Sequence, residues 1–260
     1  MHILYKNTKI HFTSIGKGSV VVLLHGFLEN SSMWNNISKT LSKKYRVICI
    51  DLLGHGKTEN QGYVHTMENQ AEMVKAVLNS LRLRKYIFIG HSMGGYVALA
   101  FAKLYPSNIK GLCLMNSTAL ADSEEKKINR DRAIKAVKQN YKTFIKIAIP
   151  MLFSEKNRQL FTIEINEITK EALKISTQGI IAALEGMKIR KNLTSIYKNA
   201  TFPIQMIIGK QDPALDYTSL IKQVEHTNVQ VVEFPDGHMS HFENKKELND
   251  TLLDFVKLCY

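Results

Sequence analysis

Three observations predict an α/β fold, a mostly parallel sheet with helices on both faces, for this chain of 260 residues. First, short apolar and β-branched runs recur at 19–24 (SVVVLL), 45–52 (YRVICIDL), 85–89 (KYIFI), 109–115 (IKGLCLM), 203–209 (PIQMIIG) and 229–234 (VQVVEF). A run that is apolar on consecutive residues is a strand buried on both faces, as a parallel sheet requires. Second, segments of helical spacing separate these runs. Third, the alternation stops near residue 119 and resumes at Pro203. The chain therefore divides into a core, 1–118 and 201–260, and a helical insertion, 119–200.

In chain order, residues 2–14 read as two short strands, and Lys17-Gly18 is a turn. The strand 19–24 ends at His25-Gly26-Phe27. Residues 31–42 carry Met33, Trp34, Ile37 and Leu41 at helical spacing. The strand 45–52 runs into a polar loop, 51–58 (DLLGHGKT), in which Asp51 and His55 stabilise the turn. Residues 66–83 form an amphipathic helix with Thr66 as N-cap. The strand 85–89 leads into Gly90-His91-Ser92-Met93-Gly94-Gly95. A helix follows over 96–105, stopped by Pro106. The insertion shows helical stretches at 122–140, 141–152, 163–175 and 177–188 and no strand. After the strand 203–209 come Lys210 to Pro213, a helix over 217–226, the strand 229–234, the loop 235–243 (PDGHMSHFE) and a last helix, 245–258.

The centre of this pattern is Gly90-His91-Ser92-Met93-Gly94. A serine between a buried strand and a helix, flanked by glycines, is the context of a nucleophile elbow. The helix N-terminus behind it directs partial positive charge at an oxyanion formed beside Ser92. In an open α/β sheet, ligands bind outside the carboxyl ends of the strands. Ser92, Asp212 and His238 each follow a strand there, in the order Ser, Asp, His. A serine hydroxyl needs a base to take its proton, an imidazole suits that task near neutral pH, and a carboxylate fixes the imidazole tautomer. Asp216 and Asp236 are rivals to Asp212, but lie further from a strand end or beside the histidine loop. His241 is a rival to His238, which directly follows Gly237, where the backbone turns sharply. His91 reads as a structural hydrogen-bonding residue. The oxyanion hole is expected from the backbone N–H of Met93 and of Phe27.

The formal charge is +12. The insertion holds sixteen Lys/Arg against nine Asp/Glu, more than half of the excess. The lysines form no dense block and no nucleic-acid motif accompanies them, so the reading is a lysine-rich surface or a basic face for an anionic partner. Cys49, Cys113 and Cys259 are an odd number without metal-ligand spacing, and read as reduced thiols of a cytoplasmic protein. No cluster of His, Asp, Glu or Cys predicts a metal, and no cofactor motif is present. The N-terminus lacks the apolar stretch of a signal peptide, and no run approaches about 18 apolar residues, so no membrane insertion is expected.

On HGF at 25–27, DLLGHGKT at 51–58, GHSMGG at 90–95, GKQDP at 209–213 and GHMSHFE at 237–243, the chain resembles α/β-hydrolase-fold serine hydrolases. That group includes carboxylesterases, carbon–carbon hydrolases and pimeloyl-carrier-protein methyl esterases. The resemblance implies an eight-stranded, mostly parallel sheet whose second strand is antiparallel, with a helical cap after the sixth strand. It implies Ser92, His238 and Asp212 as catalytic residues and an ester as substrate. A serine nucleophile makes dehalogenase and epoxide-hydrolase chemistry the wrong branches. The dicarboxylate-binding branch of menaquinone biosynthesis usually carries Arg four residues after its nucleophile, where this chain has Tyr96. The apolar patch 144–153 (FIKIAIPMLF) is expected to face a hydrophobic acyl or aryl group through Ile147, Met151 and Phe153, with Pro150 turning the chain toward the site. Trp34 either lines the same pocket or packs in the core. An ester on an acidic acyl-carrier protein, a carbon–carbon bond, cofactor-free haloperoxidase-like chemistry and a slow-turnover ligand receptor remain open on the same fold.

Overall fold

All five side chains of Val20–Leu24 are buried, as are all six of Tyr86–His91 and of Ile204–Gly209. Strands without a solvent face require helices over both sides of their sheet. The computed structural model, which describes residues 1–260, supplies them. Its strands are β1 (His2–Tyr5), β2 (Thr8–Ile15), β3 (Val20–Leu24), β4 (Arg46–Ile50), β5 (Tyr86–His91), β6 (Ile109–Met115), β7 (Ile204–Gly209) and β8 (Gln230–Phe234). They form one sheet in the order β1-β2-β4-β3-β5-β6-β7-β8. β2 is antiparallel to both β1 and β4, and every other pair is parallel. In this register Gly90, at the end of β5, stands beside Leu24 of β3 and Leu114 of β6. The ends of the central strands thus open at one level.

One face of the sheet is covered by α1 (Asn35–Leu41) and the C-terminal helix, through Trp34, Ile37, Leu41, Leu248, Leu252 and Phe255. The other carries α2 (Met67–Ser80) and α3 (Met93–Leu104). Thr66 caps α2, its hydroxyl accepting the Asn69 N–H at 3.0 Å. Between β6 and β7 lie only helices: α4 (Glu124–Ala148), α5 (Thr162–Ala172), α6 (Thr177–Lys188) and α7 (Ser195–Asn199). Ile134, Val137, Ile145, Ile180 and Leu184 from these helices join the apolar cluster of α2 and α3. A shared core of this kind joins the two parts more firmly than a tether. Polar contacts add to it, since Asp236 accepts from Asn157 Nδ2 at 3.1 Å and pairs with Lys156 Nζ at 2.8 Å.

The expected boundary at 140 is present as a break within α4, where Asn140 leaves helical geometry (φ −158°, ψ 89°) and its Oδ1 accepts the Thr143 N–H at 3.1 Å. Pro150 ends the helical run in a single 3-10 turn, Pro150–Leu152. The expected helix over 31–42 divides into a 3-10 turn, Ser31–Trp34, and α1, with the Asn30 side chain accepting the Ser32 N–H. After β7 the chain forms α8 (Tyr217–Lys222), which stops four residues short of the expected 226. After β8 come α9 (Ser240–Glu243) and α10 (Lys245–Leu258).

Candidate active site

Ser92 sits at the junction of β5 and α3 with φ 49° and ψ −114°. A positive φ costs a non-glycine residue free energy and persists only where the surroundings enforce it. Here they do. The Ser92 N–H is held by the Met115 carbonyl at 3.0 Å, and its own carbonyl accepts from Ser117 Oγ at 2.8 Å and from the Gly95 N–H at 2.9 Å. A Cβ on Gly94 would collide with the Leu24 carbonyl oxygen, so α3 can approach β3 only with glycine there. Met93 is the first residue of α3, and its N–H has no partner four residues back. The Phe27 N–H, in the loop after β3, makes no hydrogen bond within the chain. These are the two N–H groups the sequence nominates for an oxyanion.

His238 follows Gly237 in the loop after β8. Its Nδ1 lies 2.7 Å from Asp212 Oδ2. Asp212 Oδ1 accepts the N–H groups of Ala214 (2.8 Å) and Leu215 (3.1 Å), and Asn116 Nδ2 donates to Oδ2 at 3.2 Å. Burial opposes the charge on Asp212, but the adjoining His238 and these donors together hold its carboxyl below the usual carboxylate range. An ionised Asp212 accepting from Nδ1 leaves Nε2 as the basic nitrogen. Nε2 makes no hydrogen bond in the chain, and His238 and Ser92 line one cavity of about 650 Å3. The backbone of His238 is fixed at both ends: its N–H donates to the Leu152 carbonyl at 3.0 Å, and its carbonyl is 3.0 Å from His91 Nε2.

The rivals have other partners. Asp216 caps α8 through the Ser219 N–H (2.7 Å), and Asp236 is tied to Lys156, Asn157 and Asn244. His241 is buried 3.4 Å from Glu29 Oε1, and burial pushes its imidazole down to about 3, so it is neutral. His55 Nδ1 lies 3.0 Å from the Leu53 carbonyl, and Asp51 takes the Ser31 and Lys57 N–H groups, both as expected of turn residues.

The expected substrate wall is not where the sequence puts it. Trp34 is fully buried on the α1 side of the sheet, away from the cavity. Ile147 and Met151 point outward, 63% and 50% exposed. Phe153 is fully buried, with ring centroids 5.8 Å from Phe161 and 6.1 Å from Phe242. None of the four lines the cavity; Ala148 and Leu152 do. Successive residues of a helix are turned by about 100°, so an error of one residue exchanges wall for surface.

Sequence reasoning missed three polar groups. Glu29 Oε2 accepts the Gly26 N–H (2.8 Å) and lies 2.7 Å from His91 Nδ1, so one buried carboxylate links the Phe27 loop to the histidine behind His238. Burial works against both charges, yet mutual attraction holds Glu29 below its usual range and raises His91 above its own. Asn116 bridges Asp212, the Gly237 carbonyl and Ser240 Oγ. It directly follows β6, so the strand-end rule that selected Ser92 could have found it. Arg190 is the third, 7% exposed beside the cavity. His, Cys, Asp and Glu side chains form no group able to hold a metal ion.

A sheet with one antiparallel strand near its edge and a serine on a strained strand–helix turn defines a hydrolase class. The family model described as "alpha/beta hydrolase fold" matches residues 19–245, and the chain belongs to that family. Human monoacylglycerol lipase ABHD6 is 25% identical over 260 aligned positions, covering 91% of this chain and 74% of the lipase. A thermophilic esterase from Thermogutta terrifontis superposes with TM-score 0.90 at 28% identity, covering 100% of this chain and 98% of the esterase. An enol-lactonase from Burkholderia xenovorans LB400 shares the fold, with TM-score 0.91 at 22% identity over 99% and 100% of the two chains. No helix of this chain is long and apolar enough to cross a membrane.

Proposed function

We propose that this chain is a serine hydrolase of carboxylic esters that works through an acyl-enzyme on Ser92. The observation that carries the reading is the 2.7 Å contact of His238 Nδ1 with a buried, ionised Asp212, beside a cavity that also contains a serine at φ 49°. Its likeness to an esterase and to a monoacylglycerol lipase supports the same class.

In this mechanism the ester carbonyl lies over the elbow. Ser92 Oγ attacks, and its proton passes to His238 Nε2. Asp212 stabilises the imidazolium without taking the proton. The oxyanion is held by the N–H groups of Phe27 and Met93, each worth about 3 kcal/mol in the transition state. His238 then protonates the leaving alcohol and, in the second half, takes a proton from water as it attacks the acyl carbonyl. Leu120, Ala148, Leu152, Leu184, Met187 and Leu220 offer the acyl or aryl group an apolar wall. The test is steady-state hydrolysis of p-nitrophenyl esters by the wild type and Ser92→Ala. The variant is expected to lose at least about 1000-fold in kcat while unfolding at the same denaturant concentration. Retained turnover rejects the assignment.

A second reading draws on the exposed Arg132, Lys135, Lys138, Lys142 and Lys146 of α4. They form a basic surface for an acidic carrier protein bearing the ester. Its signature is loss of turnover with salt on a carrier-bound ester and none on a free one.

A further inference from the structure

Arg190 lies two residues past the end of α6, after Ile189, and is 7% exposed. A guanidinium keeps its charge when buried and brings five N–H groups that need acceptors. The chain satisfies only one side. Nε donates to the Leu120 carbonyl at 3.2 Å and Nη1 to the Met187 carbonyl at 2.9 Å. Nη1 also lies 2.6 Å from Asp122 Oδ1, an ion pair outside hydrogen-bond alignment. Asp122 is not a counter-ion for Arg190 alone, because Arg130 Nε donates to its other oxygen at 2.9 Å. One buried carboxylate therefore serves two arginines. The Arg190 guanidinium carbon stands 4.1 Å from the Tyr96 ring centroid, which fixes the plane of the fork. Nη2 has no partner in the chain.

This arrangement faces the Ser92 cavity. Arg190, Arg130 and Tyr96 all line it. Tyr96 lies in the first turn of α3, and its N–H donates to the Ser92 carbonyl at 3.3 Å, so the ring that carries Arg190 is anchored directly to the elbow. Arg190 also borders a second cleft of about 10 Å3, which holds no more than one water. Lys126, Glu125 and Asp216 also line the main cavity, with Asp216 engaged in capping α8, and the Glu29 carboxylate that lines it too is paired with His91 at 2.7 Å.

We propose that Arg190 is a subsite for a carboxylate carried by the substrate at the end remote from the scissile bond. The preferred substrates are then monoesters of short dicarboxylic acids. The proposal rests on the ester-hydrolase reading and sharpens it. A desolvated cation with free N–H groups and a shared counter-ion gains more from an anion than from a neutral oxygen. The apolar wall accommodates the methylene chain between the two ends.

The test compares kcat/KM for p-nitrophenyl hydrogen glutarate and p-nitrophenyl hexanoate. The wild type is expected to favour the glutarate by at least about 10-fold, as one charge-assisted contact allows. In Arg190→Gln the ratio of the two values should fall by about 10- to 100-fold, mainly through KM on the glutarate. If that variant fails to fold, Arg190→Lys keeps a positive charge beside Asp122 and should still lower the ratio by at least about 3-fold, because an ammonium has no fork. A wild type that prefers hexanoate overturns the proposal, and so does an Arg190 variant with an unchanged ratio. Hexanoate turnover without glutarate preference removes the Arg190 assignment alone. No turnover of either ester, with no fluorophosphonate label on Ser92, removes the ester-hydrolase reading as well.

Discussion

Glu29→Gln tests whether the groups behind His238 act as one unit. The substitution keeps the shape of the side chain and removes its charge. In the wild type, Glu29 Oε2 faces both the Gly26 N–H (2.8 Å) and His91 Nδ1 (2.7 Å), and His91 Nε2 faces the His238 carbonyl (3.0 Å). Two acceptors on two ring nitrogens require an imidazolium. With glutamine, His91 loses its counter-charge and sheds a proton, so one of its two contacts fails. Removing one partner of a buried pair costs about 3–5 kcal/mol. The amide oxygen keeps one hydrogen bond, which places the expected loss near the lower end, about 3 kcal/mol. The pH dependence follows from the directions of the two shifts. Glu29 is held below its ordinary 4.5, so its stabilisation is present above that pH and is lost as pH falls below it. His91 is raised above its ordinary 6.5, so its stabilisation is complete below that pH and is lost as pH rises through the folded value. The stability gap between wild type and Glu29→Gln, measured by urea unfolding, should be widest between pH 4.5 and 6.5 and narrow on both sides. Turnover should fall by about 10- to 100-fold in kcat, because the link from the loop carrying the Phe27 N–H through His91 to the His238 carbonyl is broken. A gap below about 0.5 kcal/mol across that window, with kcat unchanged, refutes the reasoning.

Asp212→Asn should leave the cavity intact and lower kcat by about 10,000-fold, since the amide no longer fixes the His238 tautomer; steady-state kinetics on a p-nitrophenyl ester measures this, and a loss under 10-fold counts against the assignment. Leu152→Glu should raise KM for long acyl chains and spare p-nitrophenyl acetate, whereas Ile147→Glu, on the exposed side, should change neither; the reverse outcome would return the wall to the outer face of α4. Phe153→Ala should cost about 3–5 kcal/mol in a denaturant titration, as expected of a packed core aromatic and not of a substrate contact.

The parts of the site legible in the sequence are those encoded by neighbours in the chain. Ser92 is marked by glycines beside it, by a strand before it and by a helix after it. Asp212 and His238 are marked by the strand ends they follow, and Thr66 by the helix it caps. The Glu29–His91 link spans 62 residues and Asp122–Arg190 spans 68, so no local pattern announces either. Arg190 stands in a run of lysines, where its charge looks like surface, and burial alone separates it from them. The segment 144–153 is legible as apolar, but not by face: of its residues only Ala148 and Leu152 line the cavity. Pro150 starts a new turn there, which shifts the phase of the residues after it. Trp34 shows the same limit, because helical spacing says which residues share a face and not which face of the sheet they cover.

The central claim is a covalent acyl group on Ser92. Rapid quenching of the wild type with p-nitrophenyl acetate, followed by peptide mass mapping, observes that group directly. The account predicts one acetyl group per chain, on the peptide containing Ser92, absent from Ser92→Ala and formed at the rate of the p-nitrophenol burst. Product release with no acetylated Ser92, or with the acetyl group on another residue, would contradict it.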